Sequence, residues 1–435
     1  MKTSKYLTMV KDGINYHIID MPGTDIFRLE VLQNVGSNLE KYFKRYYGTP
    51  VYGVSHLIEH LSFKSPEGYS SLEIMDLYRK YGRHNASTGN DKINYHMIST
   101  MENIDLVTDI VIKTAYNDLT GIDLVEFDKE KDVVINEINR YYENKQTVYN
   151  FKIKSRYYGL REVDTTLGST DMVKNVSLED VITMKSIMIN NAKQDIIIAC
   201  DMDDVSILDY VNKLHKTVLD AINNTVDNDR TITAKMIETD PERVHVGEYI
   251  YPDECGQELT TIIIPIKNMN HTAQALICDY INKKSGEHSL FHNIRTLHGL
   301  TYGTSFYVNR YGNDLVVTFQ VDVSPGNRDK AIALFNDVIL NIIDTYTIDV
   351  HNDYIRQIKL DDKLDKLDRM DYVSLIKTII NIPSIKYNLD TRSFNDLSKL
   401  YTDIIDASCT YDDMILAIKN VSKAVASDMV IKIRN

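Results

Sequence analysis

His56, Glu59 and His60 lie within Val54 to Phe63, VSHLIEHLSF, where two imidazoles four residues apart flank one carboxylate. On a helix, positions three and four apart share a face, so all three groups project together. Neutral imidazole nitrogens one turn apart can share a single Zn²⁺. A carboxylate beside them that is not itself a ligand can take a proton from a water that the metal activates. The order H-x-x-E-H is the reversed form of the zinc-protease helix. Val54, Leu57, Ile58 and Leu61 make an apolar stripe on the opposite side, so that one face meets a core while His56, Glu59, His60 and Phe63 meet a cleft. A polar surface stripe has the same pattern, and a third ligand on a reachable element decides between the two.

Candidates for that ligand stand on a helix expected from about Val125 to Asn144. Val133, Val134 and Tyr141 form its apolar stripe, and Glu130 and Glu137, two turns apart, project from the middle of it. A carboxylate on a buried face is costly unless a cation receives it. A metal is such a cation; a salt bridge would serve for either residue alone.

The elements that must position these groups follow in order. Lys5 to Val10, Ile14 to Ile19 and Ile26 to Val35 read as strands, the first two joined by an Asp12-Gly13 hairpin. Gly36 to Tyr52 is a polar and aromatic loop. Ser70 and Glu73 form a capping box for a helix that runs to Tyr81 and stops at Gly82. Arg83 to Thr100 is a hairpin around Gly89-Asn90-Asp91. If its first strand lies at a sheet edge, an extended peptide can pair with it. A helix from about Glu102 to Asp118 precedes the one carrying the two glutamates. One further helix is expected from Val173, with Ser177 and Asp180 as its start signal, then a buried strand over Gln194 to Asp201 and a helix over Val205 to Ala221.

The second half runs through strands, a helix, a short helix near Leu290 to Leu297, a hairpin across Tyr311 to Asn313, helices and a final strand. That order repeats the first half in outline, as a duplication would, but without H-x-x-E-H. The expected division is a zinc-binding domain over 1–222, a linker over 223–243 rich in Asn, Asp and Thr, and a second, homologous domain over 244–435 that binds no zinc.

At 435 residues the chain can bury two or three cores, and no apolar run approaches a membrane span. Its four cysteines are scattered without a C-x-x-C pair, so nitrogen and oxygen must hold any metal. A net charge of −13 disfavours nucleic acid as a partner. The start MKTSKYLTMVKDG lacks an apolar signal core, and a cytoplasmic location is expected.

Several stretches together resemble the pitrilysin/insulinase (M16) family of zinc peptidases and the related mitochondrial processing peptidases: SHLIEH, YGRHNASTGNDKINYH, EKDVVINE, TLGSTDMVKNVSLEDV before DIIIACD, and SGEHSLFHNIRTLHGLTYG. The separation of His60 and Glu137 is also similar to the family's. The resemblance implies an α+β fold of two homologous domains, each an antiparallel sheet covered by helices, as in LuxS- and processing-peptidase-like metallohydrolases. It further implies that His56, His60 and Glu137 bind Zn²⁺, that Glu59 is the general base and that Glu130 supports the ligands from outside. Asn85 and Ala86 match the family's substrate-binding edge strand, although His84 and Ser87 depart from its usual small and aromatic neighbours. Arg295 and Tyr302 match the Arg/Tyr pair that the family supplies from the half without zinc.

These correspondences lead to an expected zinc endopeptidase acting on short or unfolded polypeptides in a closed chamber. Because one half-length chain carries both residue sets, the expected assembly is a homodimer in which Arg295 and Tyr302 complete the partner's site. The alternatives are a non-catalytic scaffold relative and the catalytic subunit of a heterodimeric processing peptidase.

Overall fold

The computed structural model describes residues 5–40, 52–144, 147–148, 166–225, 247–250, 258–266, 270–283, 286, 288–311, 314–365, 395–396, 405–406, 409–427 and 431–434. These form two compact units.

The first unit starts with β1 (Lys5–Lys11) and β2 (Ile14–Asp20), closed by Asp12 and Gly13 at φ of 47° and 79°. Positive φ at both turn positions matches the twist of the paired strands, which is why this dipeptide reads as a hairpin. β3 (Ile26–Gln33) follows. The hairpin β4 (Arg83–Thr88) and β5 (Ile93–Thr100) comes next, then β6 (Gln194–Cys200), whose seven residues are all buried. A continuous apolar run such as Ile196-Ile197-Ile198 suits a strand covered on both faces, and β6 lies between β2 and β3. The sheet order is β11-β1-β2-β6-β3-β5-β4, where β11 is Asn395–Asp396.

The second unit holds β7 (Gly247–Ile250), β8 (Glu258–Ile266), β9 (Thr304–Tyr311), β10 (Asp314–Val323) and β12 (Ile431–Arg434), in the order β7-β12-β8-β10-β9. Its core includes Phe306, Phe319 and Phe335, the last two stacked with ring centres 4.2 Å apart. Strand for strand, this order repeats β2-β6-β3-β5-β4. The same pair is parallel in each, β2 with β6 and β7 with β12, and the neighbouring pairs are antiparallel. The repeat expected from element order is therefore present in the hydrogen-bonded topology.

The mixed sheets correct the expectation of purely antiparallel ones. In each unit the last strand returns only after several helices, and a connection of that length permits a parallel crossover. A second correction concerns the domain limits. β11 pairs with β1 and so belongs to the first unit, although 244–435 was expected to lie wholly in the second. β1 offers an open backbone edge, and pairing with β11 covers part of it. A helix, α7, covers Asp204–Thr225 and so includes the first residues of the expected 223–243 linker, the rest of which lies outside the described residues.

Among the helices, α1 (Val54–Leu61) carries the histidines. α2 (Ser71–Tyr81) has the expected Ser70/Glu73 capping box, and α3 (Ile104–Ala115) lies over β3 and β5. α4 (Leu124–Glu143) buries Phe127, Glu130, Val134 and Ile138, whereas Val133 and Tyr141, expected in its apolar stripe, are 49% and 41% exposed. The stripe anchored by Phe127 and Ile138 is longer, and it turns the buried face toward Glu130, with Glu137 at its border. The single helix expected from Val173 is two, α5 (Thr170–Asn175) and α6 (Leu178–Asn191). Val176 is extended between them, so that Ser177 caps a new helix rather than lying inside one. Among the described residues no single helix is long and apolar enough to cross a membrane.

Candidate active site

α1 begins at a crowded backbone junction. Gly53, its N-cap, has a φ of 91°, and the Gly168 backbone packs directly against it. A Cβ on Gly168 would fall 2.3 Å from the Tyr52 carbonyl oxygen. The first-turn donors find a buried acceptor in Glu40. Gly53 N–H donates to Glu40 Oε2 at 2.8 Å, and Ser55 N–H donates to Oε1 at 2.7 Å. A carboxylate there satisfies orphan amides and suits the positive end of the helix dipole. Val54, Leu57, Ile58 and Leu61 are fully or almost fully buried, as the stripe requires.

Packing of α1 on α4 then brings the donors together. His56, His60 and Glu137 each offer an atom within 4.8 Å of the others. His60 Nε2 is 3.3 Å from Glu137 Oε2, and His56 Nε2 is 3.8 Å from the same oxygen. Glu130 stands behind them. His60 Nδ1 donates to Glu130 Oε1 at 2.9 Å, which fixes the ring and turns the Nε2 lone pair toward Glu137. Lys64 Nζ reaches Glu130 Oε2 at 2.7 Å, so this buried acid is paired on both oxygens.

Glu59 lies beside the triangle. Its Oε2 accepts from Thr88 Oγ1 at 2.5 Å, which ties the side chain to the end of β4.

The titration shifts reflect this setting. Burial, with the neighbouring His60 charge, pulls His56 down to about 4 and so keeps it neutral. Burial pushes Glu59 up despite the Thr88 hydrogen bond. Burial alone would lower His60, but its bond to Glu130 and the surrounding acids outweigh that and raise it. Burial would raise Glu130, and its bonds to His60 and Lys64 bring it below the usual range instead.

These residues fit zinc. Tetrahedral ligands at about 2.0–2.1 Å from Zn²⁺ lie roughly 3.4 Å from one another, close to the 3.3 and 3.8 Å separations seen here. Two neutral imidazoles and one carboxylate also leave a fourth position open, as hydrolytic zinc sites do.

Asn85 and Ala86 lie on β4, which among the described residues ends the sheet and pairs on one side alone, opposite His96 and Tyr95 of β5. Asn85 is exposed. The departing residue His84 stacks at 4.4 Å on Tyr78 and contacts Phe63, so it belongs to an aromatic cluster behind the strand.

Arg295 and Tyr302 belong to the second unit. Arg295 lies on a π-helical segment, Phe291–Leu297, with its guanidinium 4.7 Å over the Phe291 ring. Gly299, at φ 62°, ends that segment by donating to the Arg295 carbonyl at 2.8 Å. Tyr302 is 83% exposed.

Thr88, Lys64 and Glu40 were not found from sequence. Lys64 lies three residues beyond the end of α1, near enough to His60 in sequence to be a candidate cation for an acid behind it. Thr88 and Glu40 act across the fold and carry no local signal.

Two family models match, one described as insulinase (peptidase family M16) over residues 44–171 and one as the peptidase M16 inactive domain over residues 175–357. The chain belongs to peptidase family M16. This M16 chain is 22% identical to an uncharacterized zinc protease of Rickettsia felis, over 78% of its own length and 77% of the other. It is 23% identical to the zinc protease PqqE of Helicobacter pylori, over 47% and 45% of the two chains. Among solved structures it resembles a protease from Helicobacter pylori (TM-score 0.69, 16% identity, 100% and 99% covered). It also resembles the first half of the periplasmic protease PqqL from Escherichia coli (TM-score 0.71, 15% identity, 99% and 91% covered). At such identities the structural likeness carries the fold. The M16 chain is zinc protease-like, and its H-x-x-E-H helix lies inside the matched insulinase region.

Proposed function

We propose that this M16 protein is a zinc-dependent endopeptidase that cleaves short or unfolded polypeptides. The observation that carries the reading is the donor triangle of His56, His60 and Glu137 with Glu59 beside it on the same helix. A zinc ion held by these three residues would polarise the scissile carbonyl and make a water acidic enough to react near neutral pH.

The chain's own groups do the rest. Glu59 accepts the proton as the water oxygen adds to the scissile carbonyl carbon, and passes it to the departing amine nitrogen as the C–N bond breaks. Its raised pKa, caused by burial, suits a group that must both take and return a proton. Thr88 keeps the reacting carboxylate oriented, and Glu130 with Lys64 keeps His60 in its ligating tautomer. The substrate lies extended and adds a strand beside Asn85 and Ala86, where β4 has no second partner among the described residues.

The proposal extends to assembly. Arg295 and Tyr302 of one copy complete the site of a second copy in a homodimer that encloses a chamber, Tyr302 donating to the developing oxyanion and Arg295 holding substrate carbonyls. The exposure of both side chains supports this.

The test is purified protein assayed for zinc content and for cleavage of a quenched peptide, beside Glu59→Gln. One zinc per chain and loss of turnover in the variant are expected, and equal rates overturn the enzyme reading. Light scattering that finds a fully active monomer overturns the dimer.

A further inference from the structure

Glu137 is also the near end of a second feature. Along α4, Asn136, Glu137, Arg140, Tyr141, Asn144 and Thr147 line a cleft of about 610 Å³. Arg140 is exposed, and among the described residues it has no hydrogen bond or ion pair. Its place in the last turn of α4 suits the helix dipole. That alone does not account for a guanidinium with no partner among the described residues, in a cleft that opens beside Glu137.

The spacing relates this cation to a bound chain. A helix rises about 1.5 Å per residue, so Arg140 stands roughly 4.5 Å and Asn144 roughly 10.5 Å beyond Glu137 along the axis. An extended peptide advances about 3.3 Å per residue. For a peptide that runs along α4 from a scissile bond at the donor triangle, the side chains about one to three residues away come abreast of Arg140 and Asn144. A guanidinium fork is shaped for a carboxylate, and the Asn136 and Asn144 amides can add donors to it.

We propose that Arg140 determines specificity in a subsite that takes a substrate carboxylate about one to three residues from the scissile bond. The carboxylate comes either from an Asp or Glu side chain or from the peptide's own C-terminus. The inference rests on the peptidase reading, and its test separates the two.

Zinc-loaded Glu59→Gln protein, which keeps the binding surface, is titrated by fluorescence anisotropy with labelled peptides. One set carries Glu or Gln at successive positions with an amidated end; another is neutral with a free or an amidated end. The expected result is about tenfold tighter binding of one carboxylate-bearing set, which corresponds to about 1.4 kcal/mol. Arg140→Gln in the same background should bring that ratio close to one, Arg140→Lys should keep part of it, and Arg140→Glu should reverse it toward Lys-bearing peptides. The ratio of kcat/KM between acidic and neutral peptides in the parent enzyme and its Arg140 variants should follow.

A ratio that Arg140→Gln leaves unchanged overturns the subsite, as does an equal loss for acidic and neutral peptides, or binding of neither. Cleavage that continues with such an unchanged ratio leaves the peptidase reading standing without the subsite. A charge-dependent binding ratio without any cleavage supports the subsite and counts against the peptidase reading.

Discussion

Lys185 lies in the core, 1% exposed, beneath the end of α1, where it donates to the Ala115 carbonyl at 2.8 Å and to Ser62 Oγ at 3.2 Å. Burial pulls its pKa from 10.5 down to about 7. Above about pH 10.5 the amine is neutral in both folded and unfolded chains and has no pH-linked effect. Between about pH 10.5 and 7 the unfolded chain holds a proton that the folded one lacks, so stability falls as pH falls. Below about pH 7 both states are charged and the whole penalty is present. At about 1.36 kcal/mol per pH unit, the drop to about 7 is on the order of 5 kcal/mol. Lys185→Met keeps a similar volume without the charge. It strands no acceptor, because Ala115 O keeps Gln33 Nε2 at 2.9 Å and Ser62 Oγ keeps the Tyr95 hydroxyl at 2.9 Å. Urea midpoints of the first unit's unfolding, followed from about pH 6 to 10, should show the variant more stable at the acid end and the gap closing toward the alkaline end. A gap that does not change with pH, or a variant less stable at pH 6, refutes the reasoning.

Removing the charge behind His60 with Glu130→Gln should weaken zinc binding by about 10- to 100-fold in competition with a chromophoric chelator; equal affinity would count against its supporting role. Thr88→Val frees Glu59 Oε2 and should lower kcat on a quenched peptide by about tenfold with KM little altered, while Thr88→Ser restores most of it. Loss of the same size in both variants points to a packing role instead. Glu40→Ala leaves the Gly53 and Ser55 amides without their acceptor in a buried place, at about 1–3 kcal/mol for each. Calorimetry should record a Tm lower by several degrees, and an unchanged Tm removes Glu40 from the helix start.

What could be read from the chain was local. Asp12-Gly13 names its own turn, Ser70 and Glu73 name their own cap, and the histidine helix shows its two faces within eight residues. Glu137 and Glu130 were found because acids interrupt an apolar pattern, even though the stripe itself was misplaced. Phe127 and Ile138, not Val133 and Tyr141, are the residues that pack. The parallel pairs β2/β6 and β7/β12 have no local signature, because a strand's direction relative to a neighbour nearly two hundred residues away depends on the helices between them. Thr88 on Glu59, Lys185 on Ser62 and β11 on β1 are likewise contacts between distant segments. Nothing in the residues adjacent to each announces them.

The repeated strand order makes the difference between the two units informative. In each, the chain leaves the third strand of the shared order through a helix and re-enters at the outer hairpin. In the first unit that connection is α1 and α2, and in the second it is α8 (His271–Asn282) and the π-helical segment Phe291–Leu297. α8 turns Ala273, Ile277, Cys278 and Ile281 inward, yet presents no pair of histidines. The fold does not require H-x-x-E-H, because a unit of the same topology packs without it. The buried His56 and the paired Glu130 are therefore additions to a scaffold that stands alone, and polar groups of that kind carry a desolvation penalty that apolar residues avoid. The second unit departs at the corresponding place, where a separate π-helical segment, Phe291–Leu297, carries Arg295, a local geometry often found at functional sites. Two copies of one topology thus differ in the same connection, which carries His56, Glu59 and His60 in one unit and Arg295 in the other.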